Sequence, residues 1–153
     1  MLSDEKLIIG LGNILLKDEG IGVRCVEYIK SKGLGKGIKI VDGATIGYDL
    51  LEEIKGFRKV VLVDAVDMGK EPGHISSFGA EQLLKMSSGE KFSLHEIGII
   101  DVVHFGSKMG YDISKVIIVG IQPKDVSRGD RLSEVIEERL PVLAEKVLRE
   151  IDK

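Results

Sequence analysis

The sequence predicts an α/β fold, a three-layer α/β/α arrangement around a mostly parallel, twisted five-stranded sheet with one antiparallel edge strand. Three observations carry that expectation. Short apolar runs alternate with helical segments, the pattern of a parallel sheet covered on both faces. The runs are strand-sized and nearly continuous in apolar residues, as strands buried on both faces are. One run, His74–Phe78, follows the preceding strand with no helix between them, which makes it an antiparallel edge.

Taken in order, Lys6–Leu11 reads as the first strand, leaving the sheet at Gly10 and Gly12. Asp18 is placed to cap a helix that begins at Gly20, carries Ile21, Cys25, Val26 and Ile29 on one face and stops at Gly33. Ile38–Val41 is the second strand, ending at Asp42-Gly43-Ala44-Thr45, and Asp49–Ile54 a short helix. Lys59–Val63 is the third strand, ending on Asp64. After the His74–Phe78 edge come a brief helix over Glu81–Met86 and a polar loop over Ser87–Lys91. Ser93-Leu94-His95-Glu96 has the form of a capping box, opening a helix to about Lys108. Lys115–Ile121 is the last strand, stopped by Gln122-Pro123. Ser133 caps a final helix with Ile136, Leu140, Leu143, Ala144, Val147 and Ile151 inward, and Pro141 should bend or split it. Right-handed crossovers give the order second–first–third, then the Lys115 strand, with the His74 strand outermost.

Composition narrows the function classes. The 153 residues suit one domain, residues 1–153, able to bury about two-thirds of its unfolded surface without disulfide or metal. With 22 Lys+Arg against 25 Asp+Glu the net charge is -3, which gives no footprint for nucleic acid or anionic lipid. No apolar run is long enough to span a membrane. The single cysteine, Cys25, falls among core positions and argues for a reducing compartment. The acidic opening segment does not read as a secretory signal. Cytoplasm is the expected address.

The chemistry gathers at one edge of the sheet. Where the strand order reverses, ligands bind outside the carboxyl ends of the strands. Glu19 follows the first strand, Asp42 ends the second and Asp64 ends the third. His95 sits in the first turn of a helix that runs antiparallel to the strand it feeds, so it reaches the same edge. Gln122 should lie nearby. The Gly10–Gly12 turn resembles half of a dinucleotide fingerprint, but Leu15 takes the third glycine position and the helix start is acidic, which repels pyrophosphate. Glu19, Asp64 and His95 together suit a borderline divalent metal, zinc or nickel. A helix N-terminus disfavours imidazolium by about 0.3–1 kcal/mol and so favours the metal-binding form of His95. Plain alternatives exist for each residue: Asp18 and Glu19 as helix caps, Asp64 as a solvated strand end, His95 as a solvated first-turn residue. His74, Asp67 and Asp101 read as surface groups, and His104, nine residues beyond His95, faces the other way. No GxSxG or other nucleophile context is present.

At GLGNILLKDEGIG the chain resembles the nickel–iron hydrogenase maturation endopeptidases, small α/β/α proteins that remove a C-terminal extension from the hydrogenase large-subunit precursor once nickel is in place. The resemblance continues at IVDGATIG, VLVDAVDMGKEPG, SLHEIGIIDVV and VGIQP, nearly the whole chain in order. It implies that Glu19, Asp64 and His95 are the metal-binding residues and that Asp42 matches the aspartate of the family's DGGT turn. Here that turn reads DGAT, with Ala44 replacing the second glycine. The DMGxxPG and GIQP segments look most like the branch serving hydrogen-evolving or deazaflavin-reducing hydrogenases. It further implies that the nickel belongs to the precursor, with zinc or cadmium able to occupy the same residues in vitro. The protein would act as a monomer. Water activation by a carboxylate (Asp42, Glu19 or Asp64) and by the metal both stay open. A nickel-binding chaperone that does not cut is the alternative function. Peptidyl-tRNA hydrolases also open with GLGN, but they would call for a basic channel.

Overall fold

The computed structural model describes residues 5–87 and 97–153. Its strands are β1 (Lys6–Leu11), β2 (Lys39–Ala44), β3 (Lys59–Ala65), β4 (Ile75–Gly79) and β5 (Val116–Ile121). Its helices are α1 (Ile21–Ser31), α2 (Asp49–Glu53), α3 (Ala80–Ser87), α4 (Ile97–Lys108) and α5 (Glu134–Asp152), with a 3-10 turn at Lys17–Gly20 before α1. The sheet order is β2-β1-β3-β5-β4, parallel throughout except for β4, which runs antiparallel to β5. This is the predicted fold and the predicted strand order.

Alternation along the strands builds two cores. Leu7, Ile9 and Leu11 of β1 pack with α2, α3 and α4 through Leu50, Leu83, Ile99 and Val102. Ile8 points to the other face and joins Ile21, Val26, Leu143 and Val147 of α1 and α5. Cys25 lies in this second core with its side chain excluded from water, and burial pushes its thiol up to about 12. Burying a thiolate without a partner is costly, so the neutral form persists. Among the described residues no helix is long and apolar enough to cross a membrane.

Helix α1 comes unusually close to the sheet. A Cβ added to Gly22 would stand 2.1 Å from the Val63 carbonyl oxygen and 2.3 Å from that of Leu11. A Cβ on Gly10 would stand 2.1 Å from the carbonyl of Gly22. Gly10 therefore serves contact between helix and strand. The sharp exit from the sheet falls on Gly12 alone, at φ 121.

Three local expectations change. Strand β2 runs to Ala44, beyond the predicted end at Val41, because Gly43 is an extra residue in the ladder: Gly10 pairs with Asp42 while Leu11 pairs with Ala44. Pro141 does not split α5, which is continuous from Glu134 to Asp152. Pro141 is exposed, so the carbonyl it deprives of a partner can turn to water. Ser133 holds the N-cap position of α5, but its hydroxyl does not cap; its backbone carbonyl accepts from Ile136 and Glu137 N–H instead. The capping box at 93–96 lies outside the described residues.

Gly22→Ala should destabilise the fold by about 2–3 kcal/mol or more, since both facing atoms are backbone and cannot step aside; a shift in the urea midpoint measures it. Cys25 should resist a disulfide reagent at pH 8 until the protein unfolds, which the rate of thiol release under native conditions tests.

Candidate active site

The order β2-β1-β3 puts the topological switch between β1 and β3, and the crevice outside their carboxyl ends holds two of the predicted residues. Asp64, the penultimate residue of β3, is completely buried, and its Oδ1 accepts the N–H of Ala65 at 2.8 Å. Glu19, in the 3-10 turn, is 6% exposed. Gly12 joins them. A Cβ there would stand 1.8 Å from the Glu19 carbonyl oxygen and 3.5 Å from Asp64 Oδ1. The backbone of Glu19 and the carboxylate of Asp64 thus both border the space beside Gly12. Any larger residue at position 12 would displace the Glu19 backbone.

The Gly12 N–H in turn donates to the carbonyl of Ala44 at 2.9 Å, tying the end of β2 to the same turn. Ala44 sits at φ 43, a left-handed conformation for a residue with a side chain. Asp42 holds it there by accepting the Ala44 N–H at 3.0 Å in an Asx turn. Two hollows flank this Ala44–Thr45 corner. One, of about 170 Å³, has Asp64 in its wall with apolar neighbours Leu11, Ile46, Leu50, Ile99 and Val102. The other, of about 280 Å³, is lined by Asn13, Ile14, Leu15 and Asp42. Asp42 is exposed and one strand removed from Asp64, so the structure brings Glu19 and Asp64 together and leaves Asp42 in the adjoining hollow.

His95, the third predicted ligand, and residues 88–92 of the loop before it lie outside the described residues. Among the described residues no three His, Cys, Asp or Glu side chains group so as to hold a metal ion. Gln122 is buried, but its amide is used elsewhere: Oε1 accepts from Met68 and Lys70 N–H, and Nε2 donates to Asp67 Oδ1. It braces the loop after β3. Asp67 is therefore half-buried rather than a solvated group, whereas Asp101, His74 and His104 are exposed.

Asp18 departs most from its sequence reading. It does not cap α1, whose N-cap is Gly20 without a side-chain bond. Its carboxylate is completely buried and accepts four hydrogen bonds. Oδ2 takes the N–H of Lys124 and of Asp125 and the hydroxyl of Ser133, and Oδ1 takes the N–H of Ser133. Local propensity favoured a cap, but four donors 106 to 115 residues away outweigh it. No sequence signal near position 18 announces those partners. Beside it Lys17, at φ 46, pairs with Asp125 at 3.0 Å. The Ser127 hydroxyl and N–H, then Lys17, hold the Asp125 carboxyl well below the usual carboxylate range.

The fold is a small α/β sandwich with two buried acids, Glu19 and Asp64, at its switch point. Comparison with known proteins gives the particular family. The family model described as hydrogenase maturation protease matches residues 23–150. The hydrogenase expression/formation protein HupD of Rhizobium leguminosarum is 32% identical over 145 residues, covering 94% of this chain and 72% of that protein. The hydrogenase 2 maturation protease of Escherichia coli is 31% identical over 144 residues, covering 93% and 87%. The solved structure of the hydrogenase maturating endopeptidase HybD from E. coli superposes with a TM-score of 0.79 at 30% identity, covering 95% of this chain and 90% of the other. The chain belongs to the hydrogenase maturation protease family, and it is a peptidase.

Ala44→Gly should stabilise the protein by about 0.5–1 kcal/mol. Relief of left-handed strain, about 1–2 kcal/mol, exceeds the added chain entropy of glycine. Thermal unfolding of the two proteins checks it.

Proposed function

We propose that this protein is an endopeptidase that removes the C-terminal extension of a nickel-loaded hydrogenase large-subunit precursor, and that it recognises the precursor through the nickel. The observation that carries the reading is the approach of the Glu19 backbone and the Asp64 carboxylate to Gly12, which brings two buried acids to the switch point in a chain of this family. Nickel in this scheme is part of the substrate. Precursor cysteines hold it, and Glu19, Asp64 and His95 complete its coordination. Carboxylate oxygens and a neutral imidazole are suitable donors for a borderline cation.

Docking on the metal does two things. It makes cleavage conditional on loading, because the nickel supplies the coordinate bonds that hold the precursor in the crevice. It also fixes the scissile bond against the enzyme, converting an encounter between flexible chains into an oriented one. The hollow beside Asp64 has apolar walls and suits a side chain flanking the scissile bond. Exposed Ile14 and Leu15 offer apolar contact for the segment beyond. A carboxylate oxygen takes the proton of the attacking water as general base, which leaves the nickel in the product. Asp42, in the second hollow, is open to solvent and to an extended segment lying across the Ala44 corner. A single buried thiol and no disulfide fit a cytoplasmic site of action.

The test is mass spectrometry of a cognate precursor mixed with the enzyme. Loss of one C-terminal peptide is expected from the nickel-loaded precursor and none from the nickel-free form. A precursor that binds but stays intact would make the protein a chaperone. Glu19→Gln, Asp64→Asn and His95→Ala should each lower processing by about 100-fold or more while leaving the circular dichroism spectrum unchanged.

A further inference from the structure

We infer that Asp18 is the positioning residue of this site, and that its buried carboxylate holds Glu19 in the crevice by anchoring the turn to the segment after β5. The inference rests on the reading of Glu19 as a metal-docking acid and adds the device that aims it.

The turn is gripped from both sides. On one side the Glu19 carbonyl lies against Gly12, where no Cβ would fit. On the other, residues 15–18 are joined to residues 125–129 by three backbone hydrogen bonds. Gly129 N–H donates to Leu15, Lys17 N–H donates to Gly129, and Asp18 N–H donates to Asp125. The Asp18 carboxylate then closes the join with its four acceptor contacts. These anchor the segment at Lys124, just beyond β5, and at Ser133, where α5 begins. Both ends belong to elements packed in the core, so the turn inherits their rigidity. A buried carboxylate with four donors converging on it makes charge-assisted bonds, about twice as strong as neutral ones. Glu19 is the next residue along the chain. Any loosening of Asp18 moves Glu19 relative to Asp64.

Acceptor inventory explains why an acid is needed. Asparagine has nearly the same shape but only one acceptor oxygen. With its oxygen in the Oδ2 place, its amide faces the Ser133 N–H. With the oxygen in the Oδ1 place, its amide faces three donors. Either orientation opposes donor to donor, so Asp18→Asn should release the segment despite matching volume.

The experiment reads metal binding rather than cleavage. Zn2+ alone is titrated calorimetrically into the full chain, wild type and Asp18→Asn. Removing groups that orient metal ligands costs about 10- to 100-fold in affinity, and a loss in that range is expected. Ser133→Ala removes only one of the four contacts and should lose about 2- to 4-fold in the same direction; it serves if Asp18→Asn does not fold. Val147→Ala, a core change in α5, lowers the melting temperature without touching the turn and should leave Zn2+ affinity as in the wild type. Hydrogen exchange at the Lys124, Asp125 and Ser133 amides should accelerate in Asp18→Asn. Wild-type affinity in both Asp18→Asn and Ser133→Ala, or an equal loss in Val147→Ala, would overturn the positioning role and leave the docking role of Glu19 standing. No Zn2+ binding by the wild type would overturn the docking role itself.

Discussion

Three glycines let backbone approach backbone, and the site depends on that contact. Gly10 and Gly22 bring α1 against β1 and β3 at distances no side chain allows. Gly12 lets the Glu19 carbonyl and the Asp64 carboxylate share the space beside it. A strand-to-helix turn of this kind usually greets an anion with bare N–H groups. Here the turn before α1 carries two buried acids, Asp18 and Glu19, in place of such bare groups. The difference from a phosphate-binding turn is chemical rather than architectural.

Two adjacent acids divide the work. Asp18 and Glu19 are both buried. The Asp18 carboxylate is consumed by four donors and contributes structure. The Glu19 backbone is held against the Asp64 side of the crevice. Burial of a carboxylate is costly unless it is bonded, and the segment from Lys124 to Ser133 supplies the bonds. That segment has no regular structure of its own. It is ordered by the acid it surrounds, and by the Lys17–Asp125 pair and the Gly129 backbone hydrogen bonds next to it. Gln122 plays the matching part at the next turn, where its amide binds the loop after β3. One turn at the crevice is thus fixed by the Gln122 side chain just past β5, and the other by the Asp18 carboxylate on the segment that follows.

The sheet, its order and the antiparallel edge were legible in the sequence, because each rests on a local pattern. Continuous apolar runs mark buried strands, helical spacing marks the crossovers, and chirality restricts how they connect. That the turn carrying Glu19 lies beside Asp64 followed from topology, since the segment after β1 and the carboxyl end of β3 meet at the switch point. The motifs of the family were legible too, and the comparisons place the chain in it. The extension of β2 past Asp42 was not, since a bulge at Gly43 is visible only against its partner strand.

What the sequence determined by itself, then, is the order of elements and the edge at which the acids collect. Those follow from periodicity and chain direction, properties carried within a few residues. The tertiary structure alone decided where each acid is held. Asp18 and Glu19 are neighbours with the same charge, and nothing local separates them. Donors more than a hundred residues away pull one carboxylate out of the site, and the missing side chain of Gly12 brings the other residue's backbone up to Asp64. A hydrogen bond is decided by which groups meet in space, and that is a property of the folded chain.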